Sequence, residues 1–354
     1  MSASQISRSA ALVAFGSMVF LGGAHAAEQD KPDTSRQWAF GTVQVENDLF
    51  ANAANTDRHY TNGLQASVLS HPLELTGWQK EIATARVPFG LDDARPKSHR
   101  VGVALGHSIF TPDNTDAPGL LANDRPYAAW LHLTFTLQTL WATDGRGTFQ
   151  DQWKFDVGVV GPAAGGEFVQ NNWHQLIGAD EAAGWDNQLR NEPGLNVTFE
   201  RAWNSPDLSP SQLGGLQIDG IPYVIAALGN VQTYAGGGGI IRIGPDLPDD
   251  FGPARIYPGV GGSAQFTPSE GGIDWYLFAG AEGRVVGRDM FLDGNLFRGS
   301  HSVDKKYLVS DLRLGAVAIW GRTRVSFTHV YRTREYSQQP KPDQFGSITL
   351  GFAF

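Results

Sequence analysis

From residue 38 onwards, apolar and polar residues alternate with a period of two. Leu131, Leu133, Phe135 and Leu137 share one face while His132, Thr134 and Thr136 take the other. Trp153, Phe155, Val157 and Val159 alternate with Lys154, Asp156 and Gly158, and Leu195, Val197 and Phe199 with Asn196, Thr198 and Glu200. The rhythm persists to the end, where Leu312 and Leu314 flank Arg313, and Val325 and Phe327 flank Ser326. Successive side chains of a strand point to opposite faces, so this is β-structure with one apolar and one polar surface. Both a membrane barrel and a soluble β-sandwich produce it.

Segmenting the pattern predicts about twelve strands, at 38–48, 59–71, 99–111, 127–142, 150–161, 194–204, 220–231, 233–244, 272–287, 306–319, 322–335 and 344–354. The 220–244 stretch is the weakest, because Gly236–Gly239 carry no side chains to show a face. An even number suits a closed antiparallel barrel. The chain stops at Ile348-Thr349-Leu350-Gly351-Phe352-Ala353-Phe354, an alternating strand with an aromatic last residue. Terminal residues of soluble domains usually fray, whereas the closing strand of a barrel must pair with the first and face lipid. The expectation is therefore an all-β fold, a single antiparallel transmembrane β-barrel.

The other end reads as an export signal over residues 1–26. Arg8 supplies charge, Ala10–Leu21 is apolar, and Ala24-His25-Ala26 is a small-x-small cleavage site. About a dozen apolar residues cannot cross roughly 30 Å of hydrocarbon as a helix. The mature barrel domain is expected over 27–354, in the bacterial outer membrane. Composition narrows the chemistry. Of 354 residues none is Cys, which excludes a thiolate nucleophile, a disulfide framework and a thiolate zinc site. The net charge of −9 disfavours nucleic acid as a partner.

If the N-terminus is periplasmic, the connections 49–58, 112–126 and 162–193 lie on the cell surface. The third is unusually long, and Phe168, Leu176 and Ile177 have helical spacing that ends at Gly178, a common helix stop. A short helix is thus expected in the third extracellular loop. The same rim collects polar residues: Asn47-Asp48, Asp57-Arg58-His59-Tyr60-Thr61-Asn62-Gly63, Asp124-Arg125-Pro126-Tyr127, and His174 followed by Asp180, Glu181 and Asp186. Singly these are ordinary turn chemistry or a solvated loop histidine. Together they are ingredients for ester hydrolysis, with an imidazole to take a proton from water and hard oxygen donors for a cation that stabilises an oxyanion.

Glu46-Asn47-Asp48, Tyr60-Thr61-Asn62-Gly63, Asp124-Arg125-Pro126-Tyr127, Val169-Gln170-Asn171 with His174 and Ile177-Gly178-Ala179, and Trp185-Asp186-Asn187-Gln188 resemble the lipid A 3′-O-deacylase family of outer-membrane enzymes. The resemblance runs over nearly all of the mature chain, and the Gln-Asn-x-x-His-x-x-Ile-Gly segment is its most specific part. It implies a twelve-stranded barrel and Ca²⁺-dependent hydrolysis of the 3′ acyloxyacyl ester of lipid A within lipopolysaccharide. By the same resemblance His174 is the general base, Asn47, Asp48 and Thr61 build the pocket, and Asp48 and Asp180 are the metal-side carboxylates. Arg125, Tyr127 and Arg190 are the expected substrate contacts. The second surface loop departs from the family pattern: Asp113-Asn114-Thr115-Asp116 is acidic, and no Lys occurs between Lys97 and Lys154. Two other readings stay open, a non-enzymatic barrel (a small porin or a catalytically silent relative) and a phospholipid acyl hydrolase. The sequence leaves monomer and homodimer equally open.

Overall fold

A computed structural model describes residues 38–51, 58–85, 94–144, 147–204, 212–248, 250–253 and 264–354. The expected export signal, 1–26, lies outside these residues, as does Asp57. Twelve long strands form one closed antiparallel barrel: β1 (Trp38–Asn47), β2 (His59–Ser70), β3 (Arg95–Thr111), β4 (Ala128–Thr143), β5 (Gly147–Val160), β6 (Glu192–Asn204), β7 (Leu216–Gly229), β8 (Gln232–Gly244), β9 (Ile273–Asp289), β10 (Leu308–Trp320), β11 (Thr323–Arg332) and β12 (Asp343–Ala353). Consecutive strands pair throughout. The ring closes where β1 meets β12, from Phe40 opposite Ala353 to Asn47 opposite Gly346. A two-residue strand, Gln212–Leu213, pairs with the beginning of β7.

Burial separates barrel from sandwich. Along β10, Asp311 is 1% exposed and its neighbour Leu312 is 58% exposed. The apolar face thus points away from the protein and the charged face inwards, the reverse of a soluble sandwich and the arrangement that lipid requires. The glycine run of β8 belongs to the wall as well. A Cβ on Gly238 would lie 2.8 Å from the Tyr223 hydroxyl and 2.2 Å from the Ala281 carbonyl oxygen. The bare backbone makes room for Tyr223, which crosses to donate to Glu282 at 2.7 Å.

The lumen is packed with paired charges. Asp311 accepts from Arg284 (3.0 Å) and from Arg332 (2.9 and 3.0 Å), and Asp151 accepts from Arg201 at 2.7 and 2.8 Å. Buried ions need such partners, because an isolated one would forfeit its hydration without compensation. The described part of the long 245–271 connection folds inwards. Its Asp250 pairs with Arg242 and Arg324, while Phe251 and Phe266 are buried among residues of the wall. The 72–98 connection instead carries helix α1 (Gly77–Ala83), whose Ala83 packs with Leu75 and Leu137, leaving Trp78 exposed.

Candidate active site

The first, third and fifth connections share one rim, because strands alternate in direction around the ring. At the end of β1, Asn47 caps a single 3₁₀ turn, Asp48–Phe50. Its side-chain oxygen accepts from the Leu49 amide (2.8 Å) and its NH₂ donates to the Thr61 carbonyl (3.0 Å). Asp48 is buried within this turn, and its Oδ2 accepts from the Arg58 amide at 3.0 Å. Thr61 sits in a β-bulge. Tyr60 pairs with Phe110 and Asn62 with Ile109, leaving Thr61 as the extra residue. Bulges re-aim side chains. Here the Thr61 hydroxyl meets that of Thr111 at 2.7 Å in a buried setting. Asn47 therefore ties the turn that carries Asp48 to the Thr61 backbone, while the Asp48 carboxylate is bonded to the Arg58 amide.

The fifth connection contains the expected helix, α2 (Gly166–Ile177), which ends at Gly178 in the left-handed conformation with the Ala179 amide returning to the His174 carbonyl at 2.9 Å. Its apolar residues Phe168 and Leu176 face outwards. Those two are 66% and 67% exposed, and the polar Gln170 and His174, one turn apart, face inwards. Gln170 accepts from the Trp185 indole at 2.9 Å, and Asn171 accepts from the Ala182 amide at 3.1 Å. These bonds fold the following segment back along the helix. That return brings the main-chain carbonyl of Asp180 onto Nδ1 of His174. A carbonyl oxygen only accepts, so Nδ1 carries the proton and Nε2 is the basic nitrogen.

Asp180 thus meets His174 through its backbone, while its carboxylate is exposed. Among the described residues no three His, Asp or Glu side chains converge to hold a metal. The Asp48 group nonetheless offers a buried carboxylate and a hydroxyl, hard oxygen donors of the kind calcium takes. The Asp48 end therefore fits such an ion in donor chemistry, while the Asp180 carboxylate is exposed.

The three expected substrate contacts separate. Arg125 is buried, 3.4 Å from Glu335 and 5.0 Å above the Phe110 ring, and so belongs to the internal charge network. Tyr127 is buried against Trp185, and its hydroxyl donates to the Thr115 carbonyl at 3.2 Å. Arg190 alone of the three is exposed, its backbone tied to Asn295 by two 2.9 Å bonds.

His59 and Asp124, two of the polar residues collected on this rim, join Tyr336 and Asp343 in one hydrogen-bonded group. His59 has φ 62°, a left-handed backbone otherwise confined to glycine among the described residues. Its Nδ1 donates to Asp343, and its Nε2 lies 3.0 Å from the Tyr336 hydroxyl, which donates to Asp124. Burial and the bond to Asp124 hold the Tyr336 phenol well above its usual range. This clasp joins three connections of the rim and fixes the backbone two residues before the bulge at Thr61.

Residues 11–354 match the family model described as outer membrane protein LpxR. Among solved structures, LpxR from Salmonella typhimurium superposes with a TM-score of 0.68 at 23% identity, covering 89% of this chain and all of that one. The β domain of the Bordetella autotransporter BrkA gives 0.46 at 8% identity, covering 90% of this chain and all of that one. No curated protein matches the sequence. With twelve strands closed into a barrel and a family match spanning nearly its whole length, the chain belongs to the outer membrane protein LpxR family.

Proposed function

We propose that this barrel is a Ca²⁺-dependent ester hydrolase that removes the 3′-linked acyloxyacyl chain of lipid A, with the His174 rim facing the cell exterior. The observation that carries the reading is the pinned imidazole. His174 is buried on a rim helix with Nδ1 committed to a carbonyl, so Nε2 is the nitrogen for general-base work. The same helix exposes Phe168, Trp173 and Leu176, a lipid-compatible surface beside the base.

In this mechanism Nε2 takes a proton from water as the water oxygen adds to the ester carbonyl carbon. The tetrahedral intermediate collapses with cleavage of the acyl carbon–oxygen bond. The imidazolium returns the proton to the departing 3′ oxygen, leaving a free hydroxyl and a fatty acid. A calcium ion held by Asp48 and Thr61 would supply positive charge for the oxyanion. Asn47 fixes the turn that carries Asp48 and ties it to Thr61, and the Asp180 carbonyl fixes the imidazole tautomer.

A porin needs an open lumen, whereas the lumen of this barrel holds buried ion pairs together with Asp250, Phe251 and Phe266. The test is acyl release from lipid A, read by mass spectrometry with purified barrel. His174→Ala should lower kcat by about 10²–10⁴ while heat-modifiable migration stays intact, and a chelator should abolish release until Ca²⁺ is restored. Undiminished release by His174→Ala, or no release from any lipid together with measurable ion conductance, refutes the reading.

A further inference from the structure

Charge is divided around the rim. On the 112–127 and 161–191 connections, the exposed ionic side chains are Asp113, Asp116, Glu167, Asp180, Glu181 and Asp186 against Arg190 alone. On the 290–307 and 333–342 connections, Arg298, Lys306, Arg334 and Lys341 are exposed against Asp304 alone. The other carboxylates of this second half are turned inwards or paired, as with Asp293, which accepts from Lys305 at 2.9 Å.

The basic half is also built. The Lys306 amide donates to the Glu335 carbonyl (2.7 Å) and the Ser337 amide to the Asp304 carbonyl (2.9 Å), with a β-bridge between Lys305 and Tyr336. Backbone pairing therefore joins two loops into one platform, with Lys306 inside the paired stretch and Arg334 immediately beside it. Phe297 and Tyr307 stand 70% and 67% exposed on it, and Lys305 Nζ lies 4.9 Å from the Tyr307 ring centre. Exposed aromatic rings beside basic groups suit the headgroup level of a membrane. The platform adjoins the Asp48–Phe50 turn, since Phe50 rests against Gly346 at the start of β12. The Asp48 group thus lies at a seam between the basic and acidic halves.

We propose that this platform receives the phosphate groups of the lipid A headgroup and orients the substrate, so that its ester faces the Asp48 and His174 side. The inference rests on the lipid A reading above. It assigns to the 290–307 and 333–342 connections the anion recognition that the acidic 112–127 connection cannot supply. Opposite charge draws the phosphates to one half while the six carboxylates repel them from the other.

The test uses full-length barrel carrying His174→Ala, in nanodiscs of neutral phosphatidylcholine, so that binding is read without turnover. The probes are bis-phosphorylated lipid A and the same lipid after chemical dephosphorylation. The expected result is a preference of about tenfold or more for the phosphorylated lipid, falling with added salt. Combining Arg298→Gln, Lys306→Gln, Arg334→Gln and Lys341→Gln should erase that preference. All four side chains are exposed, so the barrel should remain heat-modifiable. In the His174 enzyme, the same four substitutions should raise KM for the phosphorylated lipid about tenfold with kcat within about twofold. No preference in the parent barrel, or a preference that survives the four substitutions, overturns the proposal. Because binding is measured independently of cleavage, a barrel that binds phosphates on this platform yet releases no acyl chain would sink the hydrolase reading and leave this one standing.

Discussion

Replacing His59 separates two contributions that the structure puts on one residue. Its ring donates to the Asp343 carboxylate and contacts Tyr336, and its backbone is left-handed at φ 62°. His59→Ala keeps the backbone demand and deletes the ring. A hydrogen bond to a charged group contributes about 1.5–3 kcal/mol, and Tyr336 loses a neighbour besides. The expected loss is about 2–4 kcal/mol. His59→Gly deletes the ring and also removes the steric cost of the left-handed region, about 1–2 kcal/mol. Glycine's greater freedom in the unfolded chain offsets roughly 0.5–1 kcal/mol of that gain. The glycine variant should therefore be the more stable of the two by about 0.5–1 kcal/mol, although both lack the clasp. Urea unfolding of vesicle-inserted barrel, followed by tryptophan fluorescence and gel mobility, resolves a difference of this size. Acyl release should fall in both variants, because the bulge that aims Thr61 begins two residues later. An alanine variant equal to or more stable than the glycine variant would refute the backbone argument. Parent-like stability in both would refute the clasp.

Three further outcomes follow from the same geometry. Asp180→Asn keeps the main-chain carbonyl that holds His174, so kcat should stay within about threefold of the parent, far short of the 10²–10⁴ expected for a general base; a loss of that larger size in the mass-spectrometric assay would show that the carboxylate itself works in the site. Tyr336→Phe removes the hydroxyl between His59 and Asp124 and should cost about 1–3 kcal/mol at neutral pH, measured by urea unfolding. Because the folded phenol binds its proton more tightly than the unfolded one, the stability it confers is present below the ordinary value of 10.0 and lost as pH rises above it, so the parent should weaken there and the Phe variant should not share that part of the decline. Asp311→Asn leaves Arg284 and Arg332 without their shared buried carboxylate, and a loss of about 3–5 kcal/mol is expected in the same unfolding experiment.

Much of the wall was legible because a strand in lipid has a local rule. Leu312 beside Asp311 can be read without knowing any partner strand, since the alternation follows from the pleat alone. The α2 helix was legible for a similar reason, its C-terminal Gly178 being a local stop. The spacing of Phe168 and Leu176 did not itself say which helix face would turn inwards. Phe168 and Leu176 would be core residues in water, and only the helix's place on a membrane barrel makes their exposure acceptable. Arg125 reads as a rim cation in the sequence, yet the chain brings Glu335 to it from 210 residues away.

The class of fold, the number of strands and the family resemblance could all be read from the chain before it was folded. How the site residues are held emerges only once the barrel has closed. Tertiary structure put the Asp180 carbonyl rather than its carboxylate on the imidazole, set His59 between Asp343 and Tyr336, and collected the exposed cations on two zipped loops. The difference is one of range. Alternation and helix stops arise from neighbours along the chain, whereas hydrogen-bond partners and charge surfaces arise when barrel closure brings together segments whose spacing in sequence carries no trace of their meeting.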